Sequence, residues 1–197
     1  MAHIPRSGSS ALAAGALVQA ILGGEFVLAG LNKLADPQYV MHFREFVTGS
    51  IGLVGGPSAW LLRSLVLPNV TVAAQLARVT ELGAGLVLLL AAVEVARRRL
   101  AGRLGAPHAY EPAVALAGML AALVLGGLSL TIYVLQGGTV PHVNPGLAFG
   151  PPIAIELFNV PLALAVAWME LGRFRALRRT AGPEPRRLVG AAGVAAT

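Results

Sequence analysis

The sequence predicts an all-α membrane protein, folded as a bundle of four transmembrane helices. Of its 197 residues, 56% are hydrophobic and only 12% are charged, whereas soluble domains carry about 25% charged residues. The hydrophobic residues are concentrated in long runs separated by polar segments. Both observations favour a multi-pass protein of the cell (inner) membrane over a soluble domain.

Four apolar runs are each long enough to cross about 30 Å of hydrocarbon at about 1.5 Å per residue of helix. A cleavable signal peptide is the rival interpretation of the first run, because Arg6 precedes it. That run continues to Leu34, which favours an uncut helix. We therefore predict four membrane spans, at residues 11–35, 70–96, 111–136 and 152–172.

The distribution of basic residues predicts the orientation of the chain. Eleven of the 15 Lys and Arg residues lie before the first span, between the second and third spans, or after the fourth. Because basic residues stay on the cytoplasmic side, both termini are predicted to be cytoplasmic. The same distribution accounts for the net charge of +6 without a nucleic-acid partner. Residues 1–179 then form the transmembrane domain, and 180–197 form a disordered cytoplasmic tail.

The first outer loop, residues 36–69, is long and only weakly polar. Tyr39, Phe43 and Val47 share one face of a short predicted helix, and a second begins near Ser58. We predict that both short helices lie in the membrane interface, where aromatic residues such as Tyr39 favour the headgroup level. A lid that packs on the bundle without touching lipid is the alternative.

Polar residues near the outer end of every span predict a site inside the bundle. Ionisable side chains at bilayer depth cost free energy, so their presence indicates a function. Arg78 and Glu81 lie one helical turn apart, and we expect Arg78 to pair with at least one glutamate. The alternative is that such pairs only lock the helices together. The predicted site consists of Glu25, Asn32, Lys33, Gln75, Arg78, Glu81, Tyr133, Glu156 and Asn159.

The residue types indicate proton transfer more than metal chemistry. Glu25, Glu81 and Tyr133 are the candidate catalytic groups, because each can exchange a proton. His142 and Asn144 are further candidate binding residues, in the outer loop at 137–151 above the predicted site. We predict no metal site, because no histidines occur at metal-ligand spacing, and the chain has no cysteine for a disulfide or an iron–sulfur cluster.

Four short stretches of the sequence are similar to those of a known family. They are GLNKLADP at 30–37, LVLPN at 65–69, TELGAGLVLLL at 80–90 and GGTVPHVNPGL at 137–147. The chain thereby resembles the DoxX/DoxD family of small four-helix membrane proteins, over residues 11–172. The resemblance places the family's motif positions on Lys33, on Pro68 with Asn69, on Glu81 with Gly85, and on the loop Asn144 with Pro145.

This resemblance implies a subunit of a redox-associated membrane complex. The DoxD branch resembles the membrane subunit of thiosulfate:quinone oxidoreductase, so the expected cofactor is a non-covalently bound quinone. The expected partners are the lipid bilayer and other membrane or extracytoplasmic redox subunits. The first span has no early arginine, unlike many family members, and about 25 residues after the fourth span are too few for a fused partner domain. We therefore do not expect this chain to oxidise thiosulfate by itself.

Two functions remain after these observations. In the first, the chain is a quinone-linked oxidoreductase subunit, in which Arg78 stabilises negative charge on a quinone oxygen or a small oxyanion. Glu25, Glu81, Glu156 and Tyr133 would then supply protons. In the second, the chain is a non-catalytic scaffold or accessory subunit. A transporter is less favoured, because the sequence has no inverted repeat.

Overall fold

A computed structural model describes residues 7–50, 55–100, 102–136 and 155–180. Within these ranges every long regular element is helical, and four helices are long and apolar enough to cross a membrane. The predicted all-helical, four-span membrane architecture is confirmed at this level. In chain order the helices are α1 (Ser7–Ala35), α2 (Tyr39–Thr48), α3 (Gly56–Leu61), α4 (Val70–Arg97), α5 (Glu111–Leu135) and α6 (Ile155–Thr180).

The fourth long helix continues beyond the predicted membrane span. The span is predicted to end at residue 172, and α6 continues to Thr180. Leu, Ala and Arg are good helix formers, so the arginine-rich segment extends the helix beyond the apolar run. The guanidinium carbon of Arg178 also lies 5.6 Å from the centre of the Phe174 ring, one turn earlier. Residues 181–197 lie outside the described residues.

The long helices form an antiparallel bundle in which each packs against two others. α1 packs along α4 and α5 along α6, while contacts of α4 with α5 and of α1 with α6 close the ring. Glycines allow the closest approach. A Cβ atom on Gly85 would lie 2.9 Å from the carbonyl oxygen of Gly23 and 2.9 Å from the amide nitrogen of Val27. The backbones of α1 and α4 therefore touch directly, as small residues permit between membrane helices.

The centre of the bundle is a fully apolar layer with one residue from each long helix. Leu22, Leu88, Leu125 and Val166 are each at most 1% exposed and belong to one contiguous core. We call these four residues the apolar layer. It separates the polar side chains at the α2–α3 end of the bundle, the lid end, from those at the opposite end.

The segment between α1 and α4 packs against the lid end of the bundle. A π-helical turn, Leu62–Val66, follows α3 directly, and we call α2, α3 and this turn the lid. Val47 and Leu62 pack with Leu135 at the end of α5. Tyr39 is only 7% exposed, so it turns into the bundle, whereas Trp60 is 65% exposed. The Tyr39 face of α2 therefore packs against the bundle.

Candidate functional site

A cavity of about 930 Å³ lies between the lid and the long helices. Its volume falls in the range of about 300–1,000 Å³ that is typical of small-molecule sites. Most of its wall is apolar, with side chains such as Phe43, Leu128 and Leu135. We call it the lid cavity. Its ionisable wall residues are Lys33, Tyr39, His42, Glu81 and Glu156.

Lys33 and Glu81 form an ion pair on the wall of the lid cavity. The Glu81 side chain is 3% exposed and the Lys33 side chain is 30% exposed. A buried carboxylate needs a partner of opposite charge, and the ammonium of Lys33 supplies it from the last turn of α1. The pair therefore joins α1 to α4 and places an exchangeable proton beside the cavity.

Arg78 does not pair with a glutamate among the described residues, contrary to our prediction. Its guanidinium donates to the side-chain oxygen of Gln75, and to the carbonyl oxygen of Lys33 at 3.4 Å. A helical side chain leans toward the N-terminus of its helix, so Arg78 extends over the preceding turn, where Gln75 lies. Glu81 lies one turn in the other direction along α4, and its carboxylate forms an ion pair with Lys33.

Tyr39 lies between Arg78 and the lid cavity and was not among the predicted site residues. The guanidinium carbon of Arg78 lies 5.7 Å from the centre of the Tyr39 ring, which is cation–π distance. Tyr39 is on the cavity wall and Arg78 is not. Burial raises the pKa of Tyr39 to about 12; the Glu81 carboxylate adds to the shift and Arg78 opposes it. The phenol therefore keeps its proton at neutral pH.

Two buried polar atoms at this point lack a hydrogen-bond partner within the described part of the chain. They are the hydroxyl of Tyr39 and the Nε of Arg78. An unpaired buried polar group costs about 1–3 kcal/mol, so such atoms occur where a ligand or water completes the site. The surroundings of Tyr39 thus contain two polar atoms that a ligand or water could satisfy.

His42 and Asp36 form a second pair on the lid. The Nδ1 of His42 lies 2.7 Å from the Oδ2 of Asp36, and the backbone N–H of Gln38 donates to the Oδ1 at 2.9 Å. The hydrogen bond to Asp36 raises the pKa of His42, and the same bond lowers the pKa of Asp36. His42 is on the cavity wall and its side chain is 51% exposed, so it can exchange protons with solvent. Its sequence position gave no metal-ligand spacing, which is why we had not selected it.

Glu25 and Asn159 form a separate contact away from the lid cavity. The side-chain amide of Asn159 donates to the Oε1 of Glu25 at 2.9 Å, which links α1 to α6. Neither residue is on the cavity wall. Glu156, one turn before Asn159, is on the wall, and it makes no ion pair or hydrogen bond with any residue that the structure describes. Glu156 and Asn159, one turn apart near the start of α6, therefore face different surroundings.

Two of the remaining predicted site residues, Asn32 and Tyr133, lie off the wall of the lid cavity. Tyr133 is half-buried and Asn32 is exposed, and neither is on the cavity wall. His142 and Asn144 lie outside the described residues. The structure therefore brings Lys33, Glu81 and Glu156 to one cavity, and places Gln75 and Arg78 behind Tyr39.

A second polar cluster, which the sequence did not lead us to predict, lies at the opposite end of the bundle. The Nε of Arg97 donates to Glu94 at 2.8 Å, and another guanidinium nitrogen donates to Glu111 at 3.0 Å. Arg97 also donates to the carbonyl oxygen of Ala106 at 2.9 Å, and Arg98 lies 3.4 Å from Glu111. These contacts fasten the turn between α4 and α5. The two arginines entered our prediction only as topology signals.

Glu170 is the deepest acidic residue of this second cluster. It is fully buried and accepts hydrogen bonds from Arg173 at 2.7 and 2.8 Å. A Cβ atom on Gly118 would lie 3.2 Å from the Nε2 of Gln19 and 3.3 Å from the carboxyl carbon of Glu170. The space around Glu170 is therefore filled, and this end is suited to holding helices together. The spacing of three residues between each acid and its arginine, at Glu94 and Glu170, could have indicated these pairs.

The described residues contain no group of three His, Asp or Glu side chains that could hold a metal ion. No family model, no curated protein and no solved structure matches this chain. The chemistry of the lid cavity is therefore the main guide to function.

Proposed function

We propose that the chain is a DoxX/DoxD-like integral membrane subunit of a redox complex, and that its lid cavity binds a quinone. The observation that carries this proposal is the lid cavity itself, an apolar chamber with hydrogen-bond donors and a buried ion pair on its wall. Ligand sites combine a mostly apolar lining with a few polar groups that orient the ligand.

The wall has the groups that a quinone requires. A quinone has a flat ring with carbonyl oxygens and an apolar tail, so it needs an apolar chamber with donors on one side. Phe43 and Leu128 supply apolar surface, while the ammonium of Lys33 and the hydroxyl of Tyr39 are donors on the wall. A bound quinone would supply acceptor chemistry for two electrons and two protons.

The residues of this chain would handle the protons. Glu81 and Lys33 hold a proton and its compensating charge beside the cavity. His42, held by Asp36, exchanges protons between solvent and the cavity because its side chain is half exposed and lines the wall. The chain has no cysteine for an electron-transfer cluster. Electrons would reach the cavity from a membrane or extracytoplasmic partner subunit.

We further propose the orientation that the basic residues favour. Arg97, Arg98 and Arg103 lie at the opposite end of the bundle from the lid, together with the arginines near the end of α6. With this end cytoplasmic, the lid faces the outer side of the inner membrane. The lid cavity is then open to an extracytoplasmic donor of electrons.

Native purification tests the function. The protein is extracted from its own membranes in mild detergent, and co-purifying proteins and quinones are identified by mass spectrometry. The proposal expects redox subunits and a quinone in about equimolar amount, and loss of the quinone in the Lys33→Met variant. Arg44→Met is the matched control, because Arg44 is an exposed cation of α2 away from the cavity wall. Purification with no quinone, or equal quinone content in both variants, would contradict the proposal.

A non-catalytic scaffold or accessory subunit is the second candidate. The cluster around Arg97 and Glu170 favours it, because these buried pairs hold helices together around filled space. On this alternative the chain co-purifies with partner subunits but carries no quinone. The same purification therefore separates the two functions.

A further inference from the structure

The fixed charges on the wall of the lid cavity do not balance. Lys33 supplies one positive charge, and Glu81 is its partner. Glu156 adds a negative charge that no described residue neutralises. The segment 137–154, which precedes Glu156 in the sequence, contains no Lys or Arg. His42 on the lid is paired with Asp36, so this pair adds no net positive charge.

The cation that could have attracted an anion is shielded from the cavity. Arg78 is off the cavity wall and stacks on the ring of Tyr39, which is on the wall. Its terminal nitrogens already donate to Gln75 and to the carbonyl oxygen of Lys33. Its Nε has no partner among the described residues, but Arg78 does not line the cavity wall. An anion in the cavity would therefore meet the unpaired carboxylate of Glu156 without gaining a free guanidinium.

A cationic ligand is not favoured either. The Tyr39 ring face that could hold a cation is already in contact with Arg78. Glu81 is committed to Lys33, and the ammonium of Lys33 stands on the same wall. The wall instead offers hydrogen-bond donors. The ammonium of Lys33 has three N–H groups, and only one of them donates to Glu81. The Tyr39 hydroxyl has no acceptor within the described ranges.

We infer that the lid cavity selects an uncharged amphiphile with a carbonyl oxygen at its head, and discriminates against an anionic head of the same size. This inference rests on the proposed function, because it concerns the same cavity. It favours a quinone over a small oxyanion, the two ligands that the sequence left open. Apolar walls hold the tail, and Lys33 donates to the carbonyl oxygen. Glu156 supplies the discrimination against anions.

Binding of four amphiphiles with matched tails tests the inference. The purified protein in nanodiscs is titrated with a decyl-benzoquinone, 2-dodecanone, decyl sulfate and decyltrimethylammonium, and nanodiscs without protein correct for partition into lipid. We expect the quinone and the ketone to bind at least roughly tenfold more tightly than decyl sulfate, because a like charge nearby disfavours the anion. Tightest binding by decyl sulfate or by the ammonium compound would overturn the inference.

A variant that removes the charge of Glu156 tests whether this residue causes the discrimination against anions. Glu156→Gln is expected to strengthen binding of decyl sulfate by roughly tenfold, so that the preference for the quinone over decyl sulfate narrows. Glu45→Gln is the matched control, because Glu45 is exposed on α2 and off the cavity wall. No change in decyl sulfate affinity in Glu156→Gln would contradict the assigned role of Glu156.

The four ligands also separate this inference from the proposed function. If the ketone binds and the quinone does not, the cavity still selects uncharged carbonyl compounds, but the quinone function fails. If the quinone binds and decyl sulfate binds equally well, the quinone function stands and the charge selectivity fails.

Discussion

Lys33 and Glu81 form an ion pair across the α1–α4 interface although 48 positions separate them in the sequence. Arg78 is only three positions from Glu81, yet it contacts Gln75 and the backbone of Lys33 instead. The end of α1 therefore decides which cation neutralises Glu81. The stability of the lid end should therefore depend on Lys33 more than on Arg78.

Replacing only Lys33 should destabilise the protein, whereas replacing both Lys33 and Glu81 should have a much smaller effect. Lys33→Met is expected to lower the free energy of unfolding by about 3 kcal/mol, because Glu81 stays buried without a partner. The partial exposure of Lys33 keeps the loss near the low end of the usual range. Adding Glu81→Leu is expected to restore most of the stability. Unfolding of both variants in detergent micelles measures the two values, with Arg44→Met as an exposed control.

The same double variant separates a binding site from a packing device. If the pair only holds α1 to α4, the stable double variant should keep full function in its complex. If the pair serves the lid cavity, the double variant should be stable but fail to reduce quinone. Electron transfer to quinone in the native complex, measured beside thermal stability, decides the matter.

The close approach of α1 and α4 predicts a strong effect of one methyl group. Gly85→Ala is expected to destabilise the bundle by about 1–3 kcal/mol, because the new Cβ would lie 2.9 Å from backbone atoms of α1. Gly83→Ala, two residues earlier, places its Cβ in open space. It should be neutral or slightly stabilising, since alanine favours helix. Equal melting temperatures for the two variants would rule out backbone contact at Gly85.

The turn between α4 and α5 should depend on the shape of the Arg97 side chain. Its guanidinium contacts Glu94, Glu111 and backbone carbonyl groups together, which a lysine cannot reproduce. Arg97→Lys is therefore expected to speed amide hydrogen exchange in residues 102–110 by roughly tenfold. Arg103→Lys, an exposed residue of the same turn, serves as control. Unchanged exchange in Arg97→Lys would mean that the network does not hold the turn.

The pair of His42 and Asp36 predicts a pH window for the lid. The pKa of His42 is raised, so its contribution is complete below its unfolded value of about 6.5 and is lost as pH rises through the folded pKa. The pKa of Asp36 is lowered, so its contribution is present above about 3.8 and is lost as pH falls through the folded pKa. The pair is therefore complete between about pH 4 and 6.5.

Asp36→Asn checks this pair directly. It is expected to lower the pKa of His42 toward about 6.5, because the charged acceptor is removed. An NMR titration of the assigned His42 ring measures the change, and Glu45→Gln, which removes a more distant charge on α2, should move it much less. A His42 pKa that is the same with and without Asp36 would show that the contact does not form in solution.

Labelling of single cysteines tests the proposed orientation. The chain has no cysteine, so each introduced thiol is unique. Gly55→Cys on the lid should react with an impermeant thiol reagent on intact cells, and Pro107→Cys in the α4–α5 turn should react only after lysis. Pro107 is preferred to Gly102 of the same turn, because Gly102 has a φ of +70°, a conformation that would be strained in a cysteine. Labelling of Pro107→Cys on intact cells would reverse the assignment.

The apolar runs predicted the helices well and their partners poorly. α4 and α5 begin and end within about one residue of the predicted spans, because hydrophobic length fixes a membrane helix. Contacts between helices depend on how each helix is rotated about its axis and on how deep it lies in the membrane. Neither can be read from a single sequence. The partner of Glu81 and the burial of Tyr39 are both contacts of this kind. The π-helical turn after α3 had no sequence signal that we recognised.

The apolar layer is expected to act as a barrier to protons between the two ends of the bundle. On α1 it separates Gln19 from Glu25, about 9 Å apart along the helix, and on α4 it separates Glu81 from Glu94 by about 20 Å. The four side chains of the layer are apolar, so none of them can accept or donate a proton. If the lid cavity reduces a quinone as proposed, its protons would therefore come from the lid side. Any membrane voltage produced by such a complex would arise from the path of its electrons.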